Sequence, residues 1–586
     1  MSPPALPTDR GAGARGPGPL LVPAALYILL AALLCSAALA DPRGRLVGSG
    51  ADSIQRLWFL TWVPFAVSHR LDPLVTSYLD HPLRVNLMWN NATPVLGLLA
   101  WPLTAAAGAA VAFDALMVAA LAGSAWVTAL VARRYVRSAL AAGAAGLLYG
   151  FSPYMVGEAA GGHLPLVVAV TPPVLIALAD LIWVRGRTSI GLGIALGLVL
   201  AVQLLTSEEL LTTLVLVAGL SVVAIALVGP RQVLRPPPGI ARPLTAAAVT
   251  FALGAAWPLL IQLHGPGSLA GAALQPPGRF VTDLVNLVVP TRLLLLAPSV
   301  ATRLTAHLTA GLAESGGYLG LPLIVLLLWG GVVRRRDPWA RALLLALLVV
   351  AVASLGPTLH VAGRSTGVPL PWRLVQGWPL VSNVLPARLM LYCFLAASLL
   401  LAQALDRLAT RWPGPRGATL AGVVAATTLI PLVPIPLPRI PAAVPAFFRS
   451  PAVDRIAAAS VVVVVPIPTI GDARAMLWQA AAMRFQMPFG YVIHRGPGGI
   501  ASENRLSPPL ARALVTIEFG GRPTPPSVLA AAVRRELRVE GVDWIVVGPM
   551  LHEQAALGYL TRLLGRAPAP AGAVEIWRLA PERRPR

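Results

Sequence analysis

The chain has 586 residues, of which 56% are hydrophobic and 12% charged, about half the charge of an ordinary soluble domain at roughly 25%. A soluble enzyme is excluded. The net charge of +22 is carried entirely by arginines clustered in short loops between apolar runs, and no DNA- or RNA-binding motif accompanies them, which excludes a nucleic-acid partner.

Apolar runs of roughly 18 residues or more recur from residue 20 to about 434, long enough to cross a bilayer as helices. Backbone polar groups in lipid must be satisfied within the segment. The expected fold class is therefore an α-helical polytopic membrane protein. Residues 1–19, with Arg10 and Arg15, read as a cytoplasmic tail. Residues 20–40 end in "SAALAD", which resembles a signal-peptide cleavage site, but the apolar core is long and more spans follow, so an uncleaved first helix is expected. Residues 41–110 then lie outside, with "TPVLGLLAWPLTAAAG" as an interfacial helix. Counting that segment as a span would put "RRYVR" (Arg133, Arg134, Arg137) outside and invert the later arginine loops.

The remaining spans are expected at 111–132, 138–152, 164–184, 189–206, 210–228, 243–263, 318–333, 340–355, 386–405 and 417–434. With the first helix this makes about eleven, and it places nearly every arginine cluster of the membrane region inside. Two further long outer loops fall at 264–317 and 356–385. Cys35 and Cys393 lie in apolar segments, so neither a structural disulfide nor a cysteine metal site is expected. After about residue 438 the pattern changes. "SVVVVVPIP" (460–468) is a β-branched run of strand length, "LRVEGVDWIVVGP" a helix end, turn and strand, and "AVEIWRLA" another strand. A small extracytoplasmic α/β domain over 439–586 follows, joined to the membrane domain (20–438) by the proline-rich "LVPIPLPRIPAAVP".

In this topology the ionisable residues gather on the outer side. Asp52, Gln55 and Arg56 follow the first helix. Asp80, His81, Arg84 and Asn86 share the same loop. "FSPYMVGEAAGGH" puts Glu158 and His163 in the second outer loop, and "LLTSEELL" puts Glu208 and Glu209 at a helix hairpin. His307, Glu314, Tyr318 and Arg388 follow. Each alone reads as a solvated loop charge, and groups at span ends are cheaper than groups at mid-bilayer. Asp52 stands apart, because a carboxylate held at the membrane surface is what a general base for a lipid-linked substrate requires. Trp58, Trp62, Trp89 and Trp101 read as an interfacial aromatic belt. There is no Walker loop, GxSxG, HExxH or CxxC motif, and "GPGGI" (496–500) reads as a loop.

The arrangement resembles the GT-C superfamily of integral-membrane glycosyltransferases, in particular bacterial YfhO-type members and their actinobacterial relatives. The segments that carry the resemblance are "GADSIQRLWFLTW", "HPLRVNLMWNNATPVLGLLAWP", "LLYGFSPYMVGEAAGGHLPL", "LTSEELL", "AESGGYLGLPL", "NVLPARLMLY", "AMLWQAAAMRFQMPFGYVI" and "LRVEGVDWIVVGP". The resemblance implies transfer of a sugar from a polyprenyl-phosphate donor in the bilayer to a cell-envelope glycan, lipid or protein acceptor, at the outer face of a bacterial plasma membrane. It implies Asp52 as general base or acceptor-orienting group and Glu158 as a second catalytic acid. Arg388, and next Arg373 or Arg364, would hold the departing phosphate, since arginine matches phosphate oxygens in pairs. His163, Asp80, Glu208, Glu209, Glu314 and Tyr318 complete the expected substrate-binding set. No metal is assigned. A divalent ion, with Asp52, Glu158 and His163 as ligands, stays open, although Ser53 follows Asp52 where a second acid would favour it. Two other readings stand beside this one: a transporter or flippase of lipid-linked saccharides, and a non-catalytic envelope-assembly protein.

Overall fold

The computed structural model describes residues 18–269, 275–276, 278–378, 381–496 and 501–579. Most of the expected N-terminal tail and residues 497–500 of the "GPGGI" segment lie outside that set. The chain is a multi-pass membrane protein built on apolar helices. Six of them are long and apolar enough to cross a membrane: Ala109–Ala132, Ala139–Gly161, Leu164–Val184, Glu208–Val228, Ala241–His264 and Pro386–Arg411. Shorter apolar helices lie at Leu21–Leu34, Ile190–Thr206, Leu321–Val333 and Pro338–Ser354, and a further helix at Pro415–Leu429. Each segment expected as a span is thus mainly helical. The Pro386–Arg411 helix is the most enclosed of the six, packing against Ala139–Gly150, Pro338–Ser354 and Pro415–Leu429.

The two ends of the bundle differ in charge. At one end Arg134 and Arg185 pair with Asp180, Arg334 pairs with Asp337, and Asp406 accepts the amides of Arg137 and Ser138 at 2.8 and 2.6 Å. The other end collects buried acids, described below. Asp406 and Arg388 mark opposite ends of one helical segment, Pro386–Arg411.

Three expectations need correction. The segment Pro153–Gly161 is a helix buried along its whole length, not an exposed loop. Ser152 caps it by accepting from the Met155 amide, and Pro153 at the first helical position has no N–H to leave unpaired. Second, the stretch after the first helix folds into an 18-residue helix, Ala51–Ser68, with 12 buried residues. Its Trp58 and Trp62 are 0% and 1% exposed and stack at 5.5 Å with an 8° interplanar angle, so they are core residues rather than a lipid-facing belt. Third, the proline-rich connection is tied down along its length. The Leu437 amide donates to the Leu34 carbonyl at 2.8 Å, and Arg439–Pro441 pairs antiparallel with Arg45–Val47.

Beyond it lies a four-stranded sheet. Val461–Val465 runs parallel to Val542–Val547, which pairs antiparallel with Val574–Arg578, and Ala569–Ala571 closes the far edge. Alternate residues of a strand face opposite ways, and the sheet uses this. Val461, Val463 and Val465 join a core with the helices Pro509–Glu518, Pro526–Val539 and Glu553–Leu564. Val462 and Val464 face the other way, into the main core of the molecule. There the helix Arg474–Ala482 packs against Ala51–Ser68. The sheet unit is therefore joined to the membrane part by shared apolar packing, and not by a linker alone.

Candidate active site

The acids at one end of the bundle converge because four helix ends and the loop bearing Glu314 meet there. Asp52 sits in the first turn of Ala51–Ser68, where the helix dipole favours a negative charge. Gln55 and Arg56 stand three and four residues on, on the same face. Glu158 lies near the end of Pro153–Gly161, which stops at Gly162 with φ +79°. A side chain there would be strained, and its Cβ would come within 2.0 Å of Ser53 Oγ, so glycine is required both to end the helix and to let it approach Ala51–Ser68. The chain reversal turns the His163 ring back onto Glu158, with Nδ1 to Oε2 at 2.6 Å. Gly157 does similar service: a Cβ there would meet the Ala313 carbonyl at 2.4 Å. The absence of that Cβ lets the loop bearing Glu314 lie against the helix.

Glu209 comes from the first turn of Glu208–Val228, capped by Ser207. Arg388 comes from the turn Pro386–Leu389 that opens the Met390–Arg411 helix. Its guanidinium is enclosed by acids. Nη1 donates to Glu209 Oε2, Nε and Nη2 reach Glu314 Oε1 at 3.0 and 2.5 Å, and Glu158 Oε1 lies 3.9 Å from Nε. The donor set expected to hold a phosphate is thus used on carboxylates, and Arg388 acts as the hub of the acid cluster. Sequence alone offers no way to see that three acids from three separate segments surround it.

His163 links the hub to Asp52. Its Nε2 stands 3.6 Å from Asp52 Oδ2, an ion-pair distance longer than a hydrogen bond. Burial by itself would strip the ring of its proton, but the nearby charges of Asp52 and Glu158 and the Glu158 hydrogen bond outweigh it and hold His163 at about 10. The ring is therefore an imidazolium at neutral pH. Asp52 feels the converse. Burial opposes its charge, and His163, Arg56 and Tyr491 together keep the carboxyl below its usual range. Glu314 is raised, because burial outweighs the attraction of Arg388 and Glu158 adds repulsion.

Two residues not singled out as site residues complete the site. Tyr491, far along the chain, donates its hydroxyl to Asp52 Oδ1 at 3.2 Å. Arg56 turns its Nη1 onto the Asn90 and Asn91 carbonyls at 2.6 and 3.0 Å, and its buried Nε has no hydrogen-bond partner among the described residues. Glu208 lies near Arg56 and the Asn91 amide.

Other expected members stand elsewhere. Asp80 is fully buried, with its Oδ2 3.0 Å from His494 Nδ1, which sets its loop against the strand Tyr491–Arg495. Tyr318 packs into the apolar core before Leu321–Val333. Arg373 and Arg364 are exposed and form no ion pair among the described residues. The cluster thus unites Asp52, Glu158, His163, Glu209, Glu314 and Arg388.

Glu158, His163 and Glu314 bring potential ligand atoms within 4.8 Å of one another, so a divalent metal deserves a test of fit. Both His163 ring nitrogens face carboxylates, and a protonated imidazole has no lone pair to give. The Arg388 guanidinium already lies on both glutamates. A divalent ion would have to displace two cations, and the residues do not fit one.

Some polar capacity is left over. Glu158 Oε1, Glu209 Oε1 and Glu314 Oε2 are buried without a hydrogen-bond partner among the described residues. Buried carboxylate oxygens are acceptor-only and costly to leave unpaired.

No curated protein matches the sequence significantly. Among solved structures, the arabinofuranosyltransferase AftD from Mycobacteria superposes with a TM-score of 0.56 at 17% identity, covering 97% of this chain and 40% of that one. The chain therefore spans well under half of AftD, and at that identity the likeness concerns the fold alone. ArnT from Cupriavidus metallidurans bound to undecaprenyl phosphate gives 0.46 at 12% identity, covering 96% and 98% of the two chains. The oligosaccharyltransferase of Archaeoglobus fulgidus in its apo form gives 0.45 at 10%, covering 94% and 71%. A family model described as "Domain of unknown function (DUF6311)" matches residues 24–429. That match spans more than half of the sequence, so the chain belongs to this family, and its fold is similar to that of the arabinofuranosyltransferase AftD.

Proposed function

We propose that the protein transfers a sugar from a polyprenyl-phosphate donor to a cell-envelope acceptor at the outer face of a bacterial plasma membrane, as a GT-C enzyme of the YfhO-like, actinobacterial kind. One observation carries the reading beyond the fold. An ionised Asp52 is linked through His163 to a cluster in which three buried carboxylate oxygens have no hydrogen-bond partner among the described residues. These oxygens are closed off from solvent in this structure; once the cluster opens they suit a ligand rich in hydroxyl groups, because each hydroxyl supplies a donor. They repel a polyanion. The sugar therefore belongs against Glu158, Glu209 and Glu314, and the phosphate on the Arg56 side of Asp52.

In the reaction the acceptor hydroxyl approaches Asp52 Oδ2, since Tyr491 already occupies Oδ1. Its oxygen bonds to the anomeric carbon as the bond from that carbon to the phosphate oxygen breaks. The bonding pair leaves with the phosphate, and the hydroxyl proton passes to Asp52. Attack from the face opposite the phosphate inverts the centre. A carboxyl held below its usual range is a weak base, so Asp52 chiefly orients the hydroxyl and accepts the proton late. His163 keeps that carboxylate charged, and Arg56 offers a cation to the departing phosphate.

The test is Asp52→Asn in the full-length protein, with radiolabelled polyprenyl-phosphate mannose, glucose and arabinofuranose as donors and isolated envelope fractions as acceptors. Loss of transfer of about a hundredfold or more is expected from a mutant that keeps the thermal stability of the parent. Full transfer by that mutant would overturn the assignment.

A further inference from the structure

Tyr491 is separated from Asp52 by 439 positions and belongs to the strand Tyr491–Arg495, paired antiparallel with Ala501–Asn504, within the C-terminal unit. Its place is fixed from several directions. The Gln55 side-chain amide donates to the Tyr491 carbonyl at 2.7 Å. Two residues on, the Ile493 amide donates to Asn90 Oδ1 at 2.6 Å, and Asn90 Nδ2 returns a bond to the Ile493 carbonyl at 2.9 Å. Asn90 in turn gives its own carbonyl to Arg56. The strand is thus stitched to the helix face bearing Asp52, Gln55 and Arg56, and the buried phenol points its hydroxyl at the carboxylate. Glu503, on the paired strand, accepts from Gln275 at 2.6 Å. Its own carboxyl is pushed up by burial and by the charge of Asp52, which places it in the same electrostatic neighbourhood.

We propose that Tyr491 is a positioning residue for the transfer, through which the C-terminal unit completes the active site: its hydroxyl holds Asp52 Oδ1 and thereby turns Oδ2 toward the acceptor. This rests on the reading of Asp52 given above. A carboxylate with one oxygen held cannot rotate about its Cβ–Cγ bond without breaking that bond, so a single oxygen faces the hydroxyl to be activated. The phenol keeps its own proton throughout. It is a better partner for the charged carboxylate than for the neutral acid formed when Asp52 takes the acceptor proton, so, beside the larger pull of His163 and that of Arg56, it also lowers the pH at which the carboxylate becomes available.

Tyr491→Phe keeps the buried ring and removes the hydroxyl. In the full-length protein reconstituted in lipid nanodiscs, with the donor panel named above, kcat is expected to fall about tenfold while KM for the lipid donor stays within about twofold. The acid limb of the kcat profile is expected to move up by about one pH unit. A second readout needs no substrate: carbodiimide labels protonated carboxyls, and peptide mass spectrometry follows labelling of Asp52 against pH. The midpoint for Tyr491→Phe is expected about one unit above that of the parent. Should Tyr491→Phe fail to fold, Gln55→Leu loosens the Tyr491 backbone and is expected to shift both readouts in the same direction by a smaller amount. An inactive Asp52→Asn together with unshifted profiles in the folded variant would overturn the role of Tyr491 alone. A fully active Asp52→Asn would overturn the reading beneath it.

Discussion

Trp58 donates its indole N–H to Gln479 Oε1 at 2.7 Å, across 421 positions of chain and in full burial. Gln479 spends its amide nitrogen on the Tyr78 and Phe485 carbonyls, both at 2.8 Å, so one side chain closes three chain segments behind the Asp52 helix face. Removing it leaves an indole N–H and the Phe485 carbonyl unpaired in the core, while the Tyr78 carbonyl keeps the Met487 amide at 2.9 Å. Gln479→Leu is expected to destabilise the protein by about 2–5 kcal/mol, from roughly 1–3 kcal/mol per orphaned group with partial relaxation. Trp58→Phe orphans only the glutamine oxygen and costs about 1–3 kcal/mol. A double-mutant cycle read by thermal unfolding checks the pair. A coupling near zero, rather than about 0.5–3 kcal/mol, would show that the bond contributes nothing.

Arg388 neutralises acids from three segments. Removing one partner of a buried ion pair leaves uncompensated charge and costs about 3–5 kcal/mol. Arg388→Met is therefore expected to lower yield and melting temperature sharply, and the added Glu314→Gln is expected to restore part of the loss by removing one of the stranded charges. Detergent-resistant expression and thermal melts compare the two. A phosphate-binding arginine without this structural role would leave the melting temperature unchanged.

His163 gives the site a pH signature. Its folded value, about 10, lies above its ordinary value of 6.5, so the folded chain binds this proton more tightly than the unfolded chain does. The stabilisation is complete below about pH 6.5, shrinks above it, and is gone once pH passes about 10. The melting temperature is expected to decline across that window, and His163→Gln is expected to flatten the decline. A parent protein with no slope between these values would contradict the ion pairs around the ring.

The donor set also predicts the response to chelation. With both ring nitrogens of His163 facing carboxylates and Arg388 seated on Glu158 and Glu314, sugar transfer is expected to survive extensive dialysis against EDTA. Loss of activity restored by a divalent ion would show that a metal displaces these cations.

Much of the architecture was legible because lipid imposes long apolar runs and arginine marks their ends. The strand segments near the C-terminus were equally legible from their β-branched runs. The site was harder. Asp52, Glu158, His163, Glu209, Glu314 and Arg388 could each be named, since ionisable groups are rare in a chain so poor in charge. Their pairing could not. Arg388 read as a phosphate ligand because its three acid partners come from distant segments and no local spacing joins them. Trp58 and Trp62 read as interfacial because tryptophan next to a span usually is; instead both are buried, and the helix that bonds Trp58 through Gln479 lies 421 positions later. Tyr491 sits in the stretch "MPFGYVIHR", where nothing in the spacing to His494 or Arg495 draws attention to its hydroxyl, and a role becomes visible only when Asp52 is seen beside it.

The short pairing of Arg45–Val47 with Arg439–Pro441 has a consequence for how the protein is made. The first of these strands leaves the ribosome almost 400 residues before its partner, and Asp52 leaves 439 residues before Tyr491. At roughly 5–20 residues per second, Asp52 and its helix wait on the order of 20–90 s, inserted and unfinished. Assembly of the site is therefore a post-insertion event. A nascent chain arrested before residue 439 would carry nearly every membrane helix and no closed site, and the quality-control machinery of the membrane would meet it in that state.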